Sequence, residues 1–264
     1  MRAMITGAAG GLGRVMAAEC ARRGYDLFLT DLTAEPLECL KEGLRRRFSV
    51  QIDVFPCDLT DPSQVTKMFQ SVDQAGFRFD LLLNIAGLDY EGGFMDRTGE
   101  EVTRIVQLND VAALRITHDV ISRRVPGEKL TLVFISSLAS MFPMPLKATY
   151  AASKRFLFDF AQALREECRG RNIQVMALCP GGLTTNPTVM EAIAAQGFWG
   201  DATTNPLETV ARRTLDRALR GRACYFPGLL NRCLMRLGRL VPRQLVALVI
   251  HWRWSGAQKK WMEG

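Results

Sequence analysis

Histidine is almost missing from this chain: His118 and His251 are the only two among 264 residues, and they lie far apart. A histidine-centred catalytic triad and a histidine-based zinc site are both set aside on that ground. Cysteine is present but without pattern. Cys20, Cys39, Cys57, Cys168, Cys179, Cys224 and Cys233 are odd in number and lack metal-ligand spacing, so they read as reduced packing residues of a cytoplasmic protein. No apolar run approaches the ~20 residues of a membrane-spanning helix; LVALVI at 245–250 is among the longest. No signal peptide is read, because glycine-rich TGAAGGLG begins at Thr6, after one short apolar run. Acidic side chains are missing from the end of the chain: from Arg217 onward, ten Lys and Arg face Glu263 alone. The high pI of about 9.2 is therefore a property of the tail, and nucleic acid is not an expected partner of the rest.

What is present is an ordinary globular composition, 48% hydrophobic and 23% charged, long enough for one large domain with a modest extension. Short apolar runs at 3–5, 26–30, 52–55, 81–85, 131–136 and 173–179 alternate with helical patterns at 11–23, 36–48, 62–75, roughly 99–124, and 150–169. A further helix at about 206–219 and a short strand at 223–226 follow. Continuous apolar strands separated by helices predict an α/β, Rossmann-type, doubly wound parallel sheet of about seven strands with helices on both faces.

The turn TGAAGGLG sits between the first strand and the first helix. There glycines let the backbone approach a pyrophosphate, which a helix N-terminus stabilises. Asp31 ends the second strand, where a carboxylate accepts the hydroxyls of an adenosine ribose and repels a 2′-phosphate, favouring NAD(H) over NADP(H). A helix or turn cap before Thr33–Pro36 is the competing role for Asp31. Asp58 is placed either to meet an adenine amino group or to cap the turn ahead of Asp61-Pro62. In TYAASKRFLFDFAQAL, Tyr150 and Lys154 are four residues apart on a helix, so they share one face. A phenol beside an ammonium is either helix surface or a tuned acid.

TGAAGGLG, NIAG (Asn84–Gly87), Asn109, Ser137, YAASK and PGGLTT (Pro180–Thr185) occur in the order and spacing of the short-chain dehydrogenase/reductase family, which the chain resembles from Arg2 to Phe226. The resemblance implies a catalytic tetrad of Asn109, Ser137, Tyr150 and Lys154 and no metal. Tyr150 would exchange a proton with the substrate oxygen, Lys154 would favour its phenolate and hold the nicotinamide ribose, Ser137 would bond the substrate oxygen, and Asn109 would hold a water leading to Lys154. It also assigns the dinucleotide to Thr6, Gly7, Gly11, Leu12, Gly13, Asp31, Leu32, Asp58, Leu59, Asn84, Ala86, Gly87, Tyr150, Lys154, Pro180, Gly181 and Thr185. Ile85 departs from the second Asn of the family's NNAG signature.

Met141, Phe142, Met144 and Leu146 are candidates for an apolar substrate pocket, with a lid at about 183–205 carrying Met190, Phe198 and Trp199. Core packing is the competing role for each. Residues 227–264 form a basic extension in which Leu230, Leu234, Leu237 and Val241 make one stripe and Pro242 divides two helices. With Trp252 and Trp254, it suits either an anionic membrane surface or a helix pair packed over the substrate site or a second subunit. The PGLLNR ending resembles the DltE/YqjQ-like bacterial branch, whose members often carry basic residues where this chain has Thr30-Asp31-Leu32.

The expected function is NAD(H)-dependent interconversion of a lipophilic secondary alcohol and ketone by a cytoplasmic homodimer or homotetramer, with or without peripheral membrane contact. NADP(H) with the same chemistry is one rival. A non-catalytic nucleotide-sensing scaffold is another.

Overall fold

The computed structural model describes residues 1–90, 92–185, 202–238 and 241–262, without the side chains of 237–238 and 253–262. Seven parallel strands form one sheet: β1 (Arg2–Thr6), β2 (Asp26–Asp31), β3 (Ile52–Pro56), β4 (Leu81–Asn84), β5 (Leu130–Ile135), β6 (Ile173–Leu178) and β7 (Cys224–Tyr225). Their order is β3-β2-β1-β4-β5-β6-β7. The chain winds outward one way from β1 and the other way from β4, so a crevice opens beyond the carboxyl ends of these two strands.

The apolar runs are continuous because both faces of each strand are covered. On β1, Met4 packs into one core with Phe28, Phe79, Leu82, Phe134 and Leu157. Its neighbours Ala3 and Ile5 point the other way, into a second core with Leu27, Leu29, Leu81, Leu83 and Met176. The two-residue period of a strand thus feeds two layers.

The described helices are α1 (Gly11–Arg22), α2 (Ala34–Arg45), α3 (Pro62–Gln74), α4 (Gly99–Val106), α5 (Ala113–Ser122), α6 (Ala148–Glu167), α7 (Leu207–Leu219), α8 (Leu229–Gly238) and α9 (Arg243–Met262). Asp61 caps α3 by accepting from the Ser63 and Gln64 N–H groups, with Pro62 at the first helical position. Thr98 and Glu101 form a capping box at α4. The single helix predicted over roughly 99–124 is interrupted by a π-helical turn, Gln107–Ala112. One extra residue in a turn leaves the apolar pattern on either side intact, so periodicity does not reveal it.

The cysteine expectation needs correction in part. Cys20, Cys57, Cys168 and Cys179 are buried, but Cys39, Cys224 and Cys233 are exposed. Burial pushes the Cys20 and Cys57 thiols up to about 12, which suppresses the thiolate.

Two helices lie on either side of Pro242. Asn231 in α8 is buried and its Nδ2 donates to the Thr203 carbonyl at 3.0 Å and the Pro227 carbonyl at 2.8 Å. Met235 packs against the first core. Of the expected stripe, Leu230 and Leu234 are half-buried and Val241 is exposed, while on α9 Leu245, Leu248, Val249 and Trp252 are 53, 65, 62 and 81% exposed. Leu237 and Trp254 carry sequence expectations that fall outside the described side chains.

Candidate active site

Three glycines make the floor of the crevice. Gly7 has φ +65°, and a Cβ there would lie 2.7 Å from the Ala86 nitrogen. At Gly13 it would lie 2.0 Å from the Gly7 carbonyl oxygen, and at Gly11 2.5 Å from that of Thr185. The turn therefore touches the loop after β4 and the PGGLTT segment at once. Thr6 Oγ1 locks the first contact by accepting from the Ile85 and Ala86 N–H groups at 3.1 and 3.2 Å. Asp31 Oδ2 accepts from the Ala9 N–H and its Oδ1 from the Leu32 N–H, both at 2.8 Å. Its carboxylate holds the glycine turn, a role beyond the cap read from sequence.

The crevice is a cavity of about 800 Å³. Its lining gathers Gly7, Gly11, Leu12, Gly13, Asp31, Leu32, Asp58, Leu59, Ala86 and Gly87 with Ser137, Tyr150, Lys154, Pro180, Gly181 and Thr185. Thr6, Asn84 and Asn109 stand behind that lining. Asn84 is buried and donates to Thr117 Oγ1 at 2.9 Å. Asn109 sits in the π-helical turn, fully buried. Its Oδ1 accepts from the Leu88 N–H at 2.7 Å, and its Nδ2 donates to the Leu88 carbonyl at 3.0 Å and Ser153 Oγ at 2.9 Å.

Ser137 Oγ accepts from the Ala139 N–H at 3.1 Å, and its hydroxyl acts on the Tyr150 phenol, pulling its pKa down. Lys154 Nζ donates to the Ile135 carbonyl at 3.0 Å and lies 5.7 Å from the centre of the Tyr150 ring. A Cβ on Gly87 would come within 3.0 Å of Lys154 Nζ and 3.1 Å of Asn109 Oδ1, so a larger residue there would press on both side chains.

The pKa of the phenol shifts against the sequence expectation. An acidified Tyr150 was the prediction, yet burial and then the Asp89 charge push it up to about 12. The Ser137 hydrogen bond and the Lys147 charge pull the other way, without winning. Burial brings Lys154 down to about 8, against the Asp110 and Asp89 charges. In this structure desolvation of the phenol outweighs the nearby ammonium. Asp110, buried beside Asn109, rises to about 7 for the same reason, offset by Lys154.

Asp58 caps the turn ahead of Asp61-Pro62, its carbonyl accepting from the Asp61 N–H at 3.0 Å. Its Oδ1 accepts from the Thr60 N–H and Oγ1, and its Oδ2 from Arg104 Nη2 at 3.2 Å; α3 itself is capped by Asp61. Of the candidate substrate-pocket residues, Phe142 and Met144 line the cavity, whereas Met141 packs against the core. Met190, Phe198 and Trp199 lie outside the described residues.

A family model described as short chain dehydrogenase matches residues 1–194. The chain belongs to that family. Dehydrogenase/reductase SDR family member 7B of Bos taurus is 30% identical over 203 residues, which is 74% of this chain and 61% of the relative. The chain thus matches about three fifths of that protein's length. A solved structure described by work on 7beta-hydroxysteroid dehydrogenase stereoselectivity shares the fold with TM-score 0.85, at 18% identity, over 95% of this chain and 96% of that one. A short-chain dehydrogenase from Sphingobium yanoikuyae, in complex with NADPH, has TM-score 0.72 and 26% identity over 92% and 96%.

In this member of the family several cavity residues escape sequence reasoning, among them Leu88, Asp89, Arg104, Leu108 and Lys147. Arg104 is 46 positions from Asp58 and Lys147 is 58 from Asp89. Only the fold brings such pairs together, so no local spacing signals them.

Proposed function

We propose that the chain is an oxidoreductase that interconverts a lipophilic secondary alcohol and its ketone with NAD(H). The observation that carries this reading is the convergence of Ser137, Tyr150 and Lys154 on one cavity with the glycine turn. The residues fit a dinucleotide: the turn is bare of side chains where a Cβ would clash with backbone, and α1 begins there with no side-chain cap on Gly10. Gly7, Gly11 and Gly13 would hold the pyrophosphate, Asp31 the adenosine ribose and Thr185 the nicotinamide end. The dinucleotide, when bound, exchanges the hydride with the substrate carbon.

The protein's part is the proton. Tyr150 gives it to the carbonyl oxygen in reduction and takes it in oxidation, while Ser137 hydrogen-bonds the same oxygen. Lys154 is a cation at neutral pH, its pKa of about 8 lying above it, and favours the phenolate that proton loss leaves. Asn109 ties the loop after β4 to α6 through Leu88 and Ser153, and holds the relay to Lys154 in place. Phe142 and Met144 supply an apolar wall for the substrate. A panel of lipophilic hydroxy compounds screened for NADH and NADPH formation tests the reading. Turnover confined to small sugars overturns the substrate class, and cofactor binding without any turnover favours a nucleotide-sensing scaffold.

Cofactor choice rests on Asp31, whose charge opposes a 2′-phosphate. The NADPH-bound family structure keeps NADP(H) as the rival. Asp31→Ala should raise the NADP-to-NAD ratio of kcat/KM by about tenfold or more, equivalent to ~1.4 kcal/mol of lost repulsion. The ratio is the proper readout, because the same substitution frees the Ala9 and Leu32 N–H groups and weakens both cofactors. An unchanged ratio removes Asp31 from cofactor selection.

For the tail the reading is peripheral contact with an anionic lipid surface. Among the described residues no helix is long and apolar enough to cross a membrane. Leu245, Leu248, Val249 and Trp252 recur at the spacing of one helical face and stand exposed beside Arg243, in a segment with almost no acidic charge. Full-length protein should float with phosphatidylglycerol vesicles and not with phosphatidylcholine vesicles, and Leu248→Glu with Val249→Glu should abolish flotation. Protein that stays in the soluble fraction as a homodimer or homotetramer, and becomes monomeric on the same substitutions, assigns the face to self-association. The tail's kinship with the DltE/YqjQ-like branch rests on its sequence, and residues 227–264 are proposed as an extension of the catalytic region.

A further inference from the structure

Two ammonium groups, not one, flank the Tyr150 ring. Lys154 Nζ and Lys147 Nζ each lie 5.7 Å from its centre. Lys147 immediately precedes α6, with a backbone outside the helical region (φ −140°, ψ 33°). Its Nζ donates to Asp89 Oδ2 at 2.7 Å, and the two side chains are only 12 and 28% exposed. Asp89 belongs to the loop after β4, two positions beyond Gly87, and its Oδ1 is buried with no hydrogen-bond partner among the described residues. Both members line the same cavity as Ser137 and Tyr150.

A sheltered ion pair gives up hydration at both ends and is a weak source of stability. Its charges act strongly on whatever ionises nearby, because little water screens them. Here the neighbour is the phenol that exchanges the proton.

We propose that the Asp89–Lys147 pair is a positioning device that sets the proton affinity of Tyr150, Lys147 favouring the phenolate and Asp89 the phenol. This rests on the reading of Tyr150 as the acid and base of the reaction. Asp89 pushes the phenol up and Lys147 pulls it down. The other groups facing it are Ser137 after β5, Lys154 on α6 and, acting on Lys154, Asp110 from the π-helical turn. The two charges act on the ring with opposite sign, so each removal takes away a push of its own direction. The two removals must therefore move Tyr150 in opposite directions. A pair that merely ties the β4 loop to α6 has no such sign, since losing either end breaks the same tie.

The test follows the Tyr150 resonance in full-length protein labelled with [13Cζ]tyrosine, assigned with Tyr150→Phe, alongside the pH profile of kcat for alcohol oxidation. Asp89→Asn should lower the Tyr150 midpoint by about one pH unit, and Lys147→Gln should raise it by a similar amount. Lys147→Arg should restore the original midpoint. The inference is overturned by midpoints that stay put, or by two that move the same way. If Lys147→Gln fails to fold, the direction of movement in Asp89→Asn decides alone. The NMR midpoint needs no turnover: opposite displacements in a protein that oxidises no alcohol would remove the proposed reaction and leave the pair's effect on the phenol standing.

Discussion

Tyr150→Phe loses kcat by about 10²- to 10⁴-fold, the usual worth of a positioned proton donor. The ring stays and only the oxygen is removed, so the packing of α6 and the shape of the cavity are kept. Ser137 Oγ keeps the Ala139 N–H that it accepts at 3.1 Å, so its own position is held when the phenol oxygen is removed. Thermal stability should change little, and dinucleotide affinity measured by fluorescence should change by far less than kcat. Steady-state rates in both directions, with both cofactors, check this. A Phe variant that retains a tenth or more of kcat would move proton transfer to another group.

The second large effect belongs to Gly13→Val. A Cβ at that position stands 2.0 Å from the Gly7 carbonyl oxygen and 2.8 Å from Ala8 Cα. Both are backbone atoms, which cannot swing aside like the end of a flexible side chain. The first turn of α1 must therefore lift away from β1, and with it the only surface proposed for the pyrophosphate. Overpacking of this sort costs about 1–3 kcal/mol or more, a Tm loss on the order of 5–10 °C for a chain of this size. Dinucleotide affinity should fall by about 100-fold or more, since an ångström-scale displacement breaks several backbone contacts together. Gly43→Ala is the matched control: Gly43 lies within α2 and a Cβ there meets nothing within 4 Å. Alanine should leave binding untouched and be neutral or stabilising, because glycine is a poor interior helix residue. Melting curves and cofactor titrations of the two variants separate close packing from a general intolerance of substitution.

The sheet was legible because its strands are buried on both faces and so appear as uninterrupted apolar runs. The glycine turn was legible because backbone contact with backbone admits one residue type, and that leaves a mark in sequence. Tyr150 and Lys154 were legible because four-residue spacing on a helix is a local property. The rest depends on groups brought together from afar. Lys147 looks like one more charged residue until the β4 loop sets Asp89 against it. Asp31 looks like a cap or a ribose ligand, and its bond to the Ala9 N–H needs β2 laid beside β1. The shift of Tyr150 is a balance between desolvation and several charges, and sequence supplies the charges without the burial. At Asn109 the residue was identified but not the π-helical turn that carries it inward.

Asn231 reaches from the tail to two carbonyls at once, one on the strand's exit at Pro227 and one at Thr203 in the cavity wall. Cutting the chain after Phe226 would therefore remove a contact between the tail and the cavity wall. It would pull a rivet from the wall of the chamber, and the Thr203 carbonyl would lose the bond that Asn231 gives it.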